Sequence, residues 1–407
     1  MQLSGLWKTG AIVDRVRKRS PVRRLWLFTI ALLLGVLLCT GTALAAIPYA
    51  TGSFGPENMN KARGYFSATE LLNGNVLVAG GYDGSIVGPP PFFADAEIYH
   101  RLTGTWSSVA PMNHPRSAAA AVRLPGGRVL VAGGIGFGPS GPSAGTAEIY
   151  DPATHTWTDT GSLHVARFED MAVALLPRGR VLVAGGFVPG SGVPPFVPLA
   201  STEIWHPGTG QWTLGNSMHK ARGEFASVTL KDGRILVMGG VDASGTALKS
   251  AEIYNPDTGH WRLIRDMHSP RFDAAAVVLY DGRVLVAGGG DASGQPTTSS
   301  EIYNPRTGTW KNTGPLNVAR SEAEYAIVLL PNHRVLLAGG YNTLGLSETD
   351  VNTAEVYNPR TGTWREVATT MKSARSGHAA LLLPDNGGVL IMGGAMGPAT
   401  ATCDIFR

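Results

Sequence analysis

Two cysteines are all that the 407 residues contain. Cys39 falls in an apolar stretch near the N-terminus, so the remainder, with Cys403 alone, has no internal disulfide to form. Charge is scarce too, at 16% of residues, and the formal net charge of +4 hides an asymmetry. Residues 1–45 hold Lys8, Arg15, Arg17, Lys18, Arg19, Arg23 and Arg24 against Asp14, a net of +6, which leaves −2 for the rest. A body so close to neutrality argues against nucleic acid as a partner. Nucleophile elbows, phosphate-binding loops and zinc motifs are missing as well, and no cofactor is implied by them.

Glycine, in contrast, is abundant and regularly placed. Gly-Gly pairs recur at 80–81, 133–134, 185–186, 239–240, 288–289, 339–340 and 393–394, spaced by 53, 52, 54, 49, 51 and 54 residues. A fixed period of this size predicts a repeat architecture. Within the second unit, Ala118–Leu124 is a mostly apolar run broken by Pro125-Gly126-Gly127. Arg128–Ala132 then leads into Gly133-Gly134, and after a loop come Ala147–Tyr150 and Thr156-Trp157. These are four runs of strand length separated by turn residues, with no window for a helix. Asp232-Gly233 and Asp281-Gly282 carry the signal of tight hairpins, and Asn255-Pro256 and Asn304-Pro305 open the next turn. Each unit therefore reads as an antiparallel meander of four strands, A to D. Radial packing of such sheets buries their faces and protects their edges, which predicts an all-β propeller. The Gly-Gly pairs fit close backbone approach, and Trp106, Trp157, Trp212, Trp261, Trp310 and Trp364, opening strand D, supply buried area between sheets.

An Arg before strand A, Gly-Gly after strand B, an acidic-apolar-aromatic strand C and a Trp in strand D make the chain resemble the kelch family. All seven units from Arg63 onward match most of that pattern. The resemblance implies a seven-bladed β-propeller of four-stranded antiparallel blades. The last unit ends after Asp404-Ile405-Phe406 without a Trp-bearing strand, whereas Thr51-Gly52-Ser53-Phe54 aligns with Thr103-Gly104-Thr105-Trp106. Thr51 to Asn58 is accordingly expected to supply strand D of blade seven. The organisation expected is a basic segment at 1–24, an apolar helix at 25–47 and the propeller at 50–407. Leu25 to Ile47 fits either a signal peptide, with Ala43-Leu44-Ala45 as a cleavage pattern, or a transmembrane anchor. Both alternatives export the propeller, as a secreted or periplasmic protein or one anchored outside the cytoplasmic membrane.

The D-to-A and B-to-C connections share one face of such a propeller. The B-to-C loops vary most, with 15, 13, 16, 11, 11, 14 and 9 residues between Gly-Gly and the strand C acid. Variable loops on a rigid scaffold are where binding usually resides. Two of them carry Phe92-Phe93 and Phe196 amid prolines; these rings are expected to fold back over blade edges rather than offer contacts. Arg63, Arg116, Arg167, Arg222, Arg271, Arg320 and Arg375 form a ring at the start of strand A. Glu169, Glu224, Asp273 and Glu322 stand two residues on in blades three to six, where blades one, two and seven have Tyr65, Ala118 and Gly377. Strand alternation puts both positions on one side, so these eleven charged residues are the candidate ligand-binding set. Less compensated arginines are expected on the arc of Arg63, Arg116 and Arg375, suited to a protein or glycan ligand with acidic groups. The bland alternative is that the arginines brace the ring. His164, His219 and His268 also repeat, but sit on different blades, too far apart to share one metal ion.

The kelch resemblance extends to copper radical oxidases such as galactose oxidase, whose chemistry requires a Tyr cross-linked to Cys, a second Tyr and two His near the axis. Cys403, His378, Tyr65 and Tyr82 are the residues to test for that role; a second axial His is not apparent in the sequence. It extends also to sialic acid epimerases, acting on sugars without a metal. The expectation is a non-catalytic protein- or glycan-binding scaffold, with a sugar-active enzyme as the alternative.

Overall fold

The computed structural model describes residues 57–84, 92–138, 141–142, 144–189, 196–344, 347–385, 388–395 and 398–407. The basic segment, the apolar stretch and Thr51 to Pro56 lie outside the described residues.

Blade four shows why each repeat folds as it does. Its strands are Ala226–Thr229, Ile235–Met238, Ala251–Asn255 and His260–Leu263, paired antiparallel in that order. Strand B is apolar and buried at every position, as expected for a strand enclosed on both faces. Strand D buries Trp261 alone and exposes its other three residues, as an outer strand facing solvent does. The other blades repeat this order, six with four strands and the seventh with three among the described residues. Short hairpins extend the B-to-C loops of blades two, three and six.

Seven apolar clusters fill the seven spaces between adjacent blades. The cluster joining the last blade to the first contains Met59, Val78 and Trp106 from one side and Leu390, Met392 and Cys403 from the other. Closure is also polar. Met59 N donates to Ala401 O at 3.0 Å, the bond that Met112 N makes to Ala94 O and Met218 N to Ala200 O elsewhere. The Gly-Gly pairs are the joints themselves. Gly81 N donates to Arg116 O of the next blade at 2.8 Å, and the equivalent bond recurs around the ring to Gly394 N and Arg63 O at 2.9 Å. Gly80 and Gly81 both have positive φ, and a Cβ on Gly80 would lie inside 3 Å of Arg116 O. Only glycine meets both demands.

Candidate functional site

The arginine ring is buried. Each of the seven is at most 1% exposed and pairs with the strand C acid of its own blade, Glu97, Glu148, Glu203, Glu252, Glu301, Glu355 or Asp404, at 2.7–3.0 Å. In blade four, Arg222 Nη1 donates to Gly239 O and Ser250 O at 2.7 and 3.0 Å, while Nη2 reaches Glu252. Glu252 accepts in addition from the backbone N–H groups of His219 and Lys220 and from His219 Nδ1. Although burial opposes it, these bonds together hold the Glu252 carboxyl below its ordinary range; the same holds for Glu301 with His268. The unit ties the incoming D-to-A connection to strand C. His164, His219 and His268 each serve the carboxylate of their own blade.

Two expectations about this ring fail. Compensation is not uneven: Arg63, Arg116 and Arg375 have carboxylate partners like the rest. Nor do the Arg and the residue two on share one side. Tyr65, Ala118, Glu169, Glu224, Asp273, Glu322 and Gly377 all have positive φ, between 47° and 58°. That conformation breaks the strand's period of two, so the arginine turns outward over its blade while the later residue lines the channel. Tyr65 N donates to Gly377 O, Ala118 N to Tyr65 O and Glu169 N to Ala118 O at 2.7–3.0 Å, linking neighbouring blades around the axis.

Two tyrosines span the channel. Tyr65 Oη donates to Glu322 Oε2 at 2.6 Å, joining blades one and six. Tyr325 Oη donates to Asp170 Oδ1 at 2.7 Å, joining blades six and three across the ring. Tyr325 is half exposed, yet its hydroxyl is held well above its usual range by its enclosed setting and by Asp170, Glu324 and Glu169. Asp350, beside this wall, is raised to about 7 by burial and by Glu322. Neither Tyr325 nor Asp170 was anticipated, though spacing held the signal. From Arg to Gly-Gly is 17 residues in blades one, two, four and five, but 18 in blades three and seven and 19 in blade six. In blades three and six the additions precede strand A and put Asp170, Glu324 and Tyr325 at the channel, whereas in blade seven the extra residue falls in the A-to-B turn.

Glu169 and Glu224 are partly exposed, whereas Asp273 and Glu322 are buried in the wall. Counted along the D-to-A and B-to-C connections, the sequence places fourteen carboxylates on this face. Against them stand twelve Lys and Arg, of which the seven ring arginines are neutralised by strand C, leaving an excess of nine negative charges. A field of one sign over a narrow mouth favours cationic groups. Phe196 is buried against Phe168, with ring centroids 5.1 Å apart, and Phe92 packs on the same cluster, so these rings fold back as expected.

The donor set for a copper radical centre does not assemble. Tyr65 and Tyr82 are neighbours, with centroids 5.8 Å apart. His378 packs on Gly339 of blade six, while Cys403 lies in the apolar cluster between blades seven and one. The Cys403 thiol is pushed up to about 11, chiefly by burial.

Comparison with known proteins agrees with this architecture. Residues 200–394 match the KLHDC2/KLHL20/DRC7 Kelch-repeats domain, and residues 63–113 and 116–164 match the Kelch motif. An F-box/kelch-repeat protein of Arabidopsis thaliana is 34% identical over 130 residues, 32% of this chain and 29% of that one. A second from the same plant is 30% identical over 181 residues, 42% and 43% of the two chains. The chain thus spans less than half the length of the curated relatives it matches. Among solved structures, a fungal alcohol oxidase of the AA5 family in complex with copper superposes with a TM-score of 0.67 at 18% identity, covering 88% of this chain and 76% of the oxidase. YjhT superposes with a TM-score of 0.57 at 15% identity, covering 76% of this chain and 99% of YjhT. At such identities the likeness concerns the fold alone. With kelch repeats matched in both halves and the ring closed between first and last blades, the chain is a kelch-repeat protein folded as a seven-bladed β-propeller.

Proposed function

We propose that this protein is an exported, non-catalytic binding propeller that takes a Lys- or Arg-bearing segment of a partner protein on its loop face. The observation that carries the reading is the formal excess of nine negative charges on the loop face, where loop length varies most, with Glu169 and Glu224 at the channel. Kelch propellers are generally protein-binding, which agrees with it. The candidate arginines act beneath that face, clamping the loops, and the partly exposed Glu169 and Glu224 are what a ligand meets. Tyr65 and Tyr325 brace the mouth, so a ligand rests on it rather than passing through. Export rests on the sequence, from the basic residues of 1–24 followed by the apolar Leu25 to Ile47.

The test is capture of the full chain on immobilised oligolysine and oligoglutamate peptides at low salt. Oligolysine should be preferred, and capture should strengthen as pH rises through 7 and Asp350 loses its proton. Glu169→Gln combined with Glu224→Gln should weaken capture about tenfold, with Asp257→Asn, in a C-to-D turn, as the unaffected control. Equal capture on both peptides, or an unchanged double variant, refutes the assignment of this face.

A further inference from the structure

The opposite face carries the opposite charge. It is built from seven A-to-B turns and six C-to-D turns, which hold ten Lys and Arg against four Asp. Three of those aspartates are already engaged on the same face, Asp232 by Arg234, Asp281 by Arg283 and Asp385 by Arg101. The formal excess of six positive charges is invisible in the net −2 of the propeller region, because the loop face outweighs it. The turns form one continuous surface. Leu72 of blade one borders Gly127 of blade two, Pro125 borders Gly179 of blade three, and Tyr280 of blade five stacks on His333 of blade six with centroids 3.6 Å apart. Lys231 of blade four donates to Tyr280 O and lies over its ring.

Apolar side chains stand among these cations. Leu72 is 70% exposed, Leu102 84% and Tyr280 60%. Large apolar and aromatic tips beside basic residues suit the boundary between lipid headgroups and acyl chains. Nucleic acid or a soluble polyanion would use the charge but not the leucines. Glu57 follows Ile47, the end of the uncharged stretch, by only ten positions. Even fully extended, that link reaches about 35 Å, so a membrane holding that stretch lies within reach of the propeller.

We propose that the turn face docks on an anionic phospholipid bilayer, which leaves the acidic loop face directed away from it. Each basic side chain close to an anionic leaflet multiplies the partition coefficient by roughly five. An excess of six is therefore ample for orientation once the chain is tethered, and salt should abolish the effect.

The experiment is hydroxyl-radical footprinting of the full chain on vesicles of phosphatidylcholine alone or with one-third phosphatidylglycerol. On the anionic vesicles, oxidation of Leu72, Leu102 and Tyr280 should fall severalfold relative to Leu214 and Leu263. These two exposed residues belong to strand D at the rim and serve as internal references. High salt should restore oxidation, and so should Arg178→Glu combined with Arg180→Glu, with the thermal midpoint unchanged. Arg306→Glu combined with Arg360→Glu, in outer turns, is a second variant in case the first disturbs folding. Equal oxidation on both vesicle types, or shielding of the loop face instead, overturns the proposal. Failure of oligolysine capture leaves it intact, since the two faces are tested separately.

Discussion

His378 and Asp350 flank the Arg375-Ser376 corner and respond to acid in opposite directions, which makes the pair a sensitive check on the electrostatics described above. His378 is 2% exposed, and neither ring nitrogen makes a hydrogen bond of good geometry among the described residues. Burial first, then Arg375, pushes its pKa from 6.5 down to about 3. Between those values the unfolded chain binds a proton that the folded chain refuses, so stability falls by about 1.4 kcal/mol per pH unit on acidification. From pH 6.5 to 5 the loss is about 2 kcal/mol. Asp350 behaves inversely: raised from 3.8 to about 7, it is protonated in the folded state over a range where the unfolded chain is ionised. The same acidification returns up to about 2 kcal/mol, a ceiling because Asp350 is only partly buried. The wild-type protein should therefore show the two slopes opposing one another. His378→Phe removes one of them. Phe66 and Phe225 already pack on Gly393 and Gly185 as His378 packs on Gly339, so the ring has a precedent in two other blades. Urea unfolding followed by tryptophan fluorescence at pH 6.5 and 5 should find His378→Phe gaining about 2 kcal/mol relative to wild type on acidification, and Asp350→Asn losing a comparable amount. Parallel pH profiles for wild type and His378→Phe would refute the reasoning.

Two further outcomes follow from the joints. Glu252→Ala leaves Arg222 buried without its carboxylate and should cost about 3–5 kcal/mol by thermal or urea unfolding. Because Glu252 is held below its ordinary range, the stability it contributes is present at neutral pH and lost as pH falls through that lowered value; the variant should have a correspondingly flatter acid limb. Gly240→Ala puts a Cβ inside 3 Å of Gly223 O at a φ of 92°, and should destabilise by more than 1 kcal/mol in the same assay.

The fold was legible because its determinants are local and repeated. The Gly-Gly pair recurs in every blade, the strand D tryptophan in six and the Asp-Gly hairpin in two, and the structure places them where the period predicts. The ends of the ring were legible only in part. Met59 and Arg63 bond to Ala401 and Thr400 as a closing strand would require, while Thr51 to Pro56 lies outside the described residues. The site was harder to read because alternation was applied through a kink. Nothing in Arg-Phe-Glu or Arg-Ser-Glu announces the left-handed residue that turns the carboxylate inward, and an acid is not the residue one expects at positive φ. In the sequence the strand C acids mark a strand and do not announce themselves as partners of the arginines, since that pairing spans about thirty residues. The bridging pair Tyr325 and Asp170, 155 positions apart, is recoverable only by aligning the units and seeing which two run long ahead of strand A.

The seam between the final blade and the opening one is made of the same parts as the other six: a glycine amide meeting an arginine carbonyl, an apolar wedge and a salt-linked corner. Among the described residues these joints do not distinguish that seam from the others. New termini cut at any other junction, with the old ends spliced, would present the molecule with contacts it already knows how to make. A lineage built this way is free to slide its start point from spoke to spoke while the mouth and its crossing tyrosines stay in place.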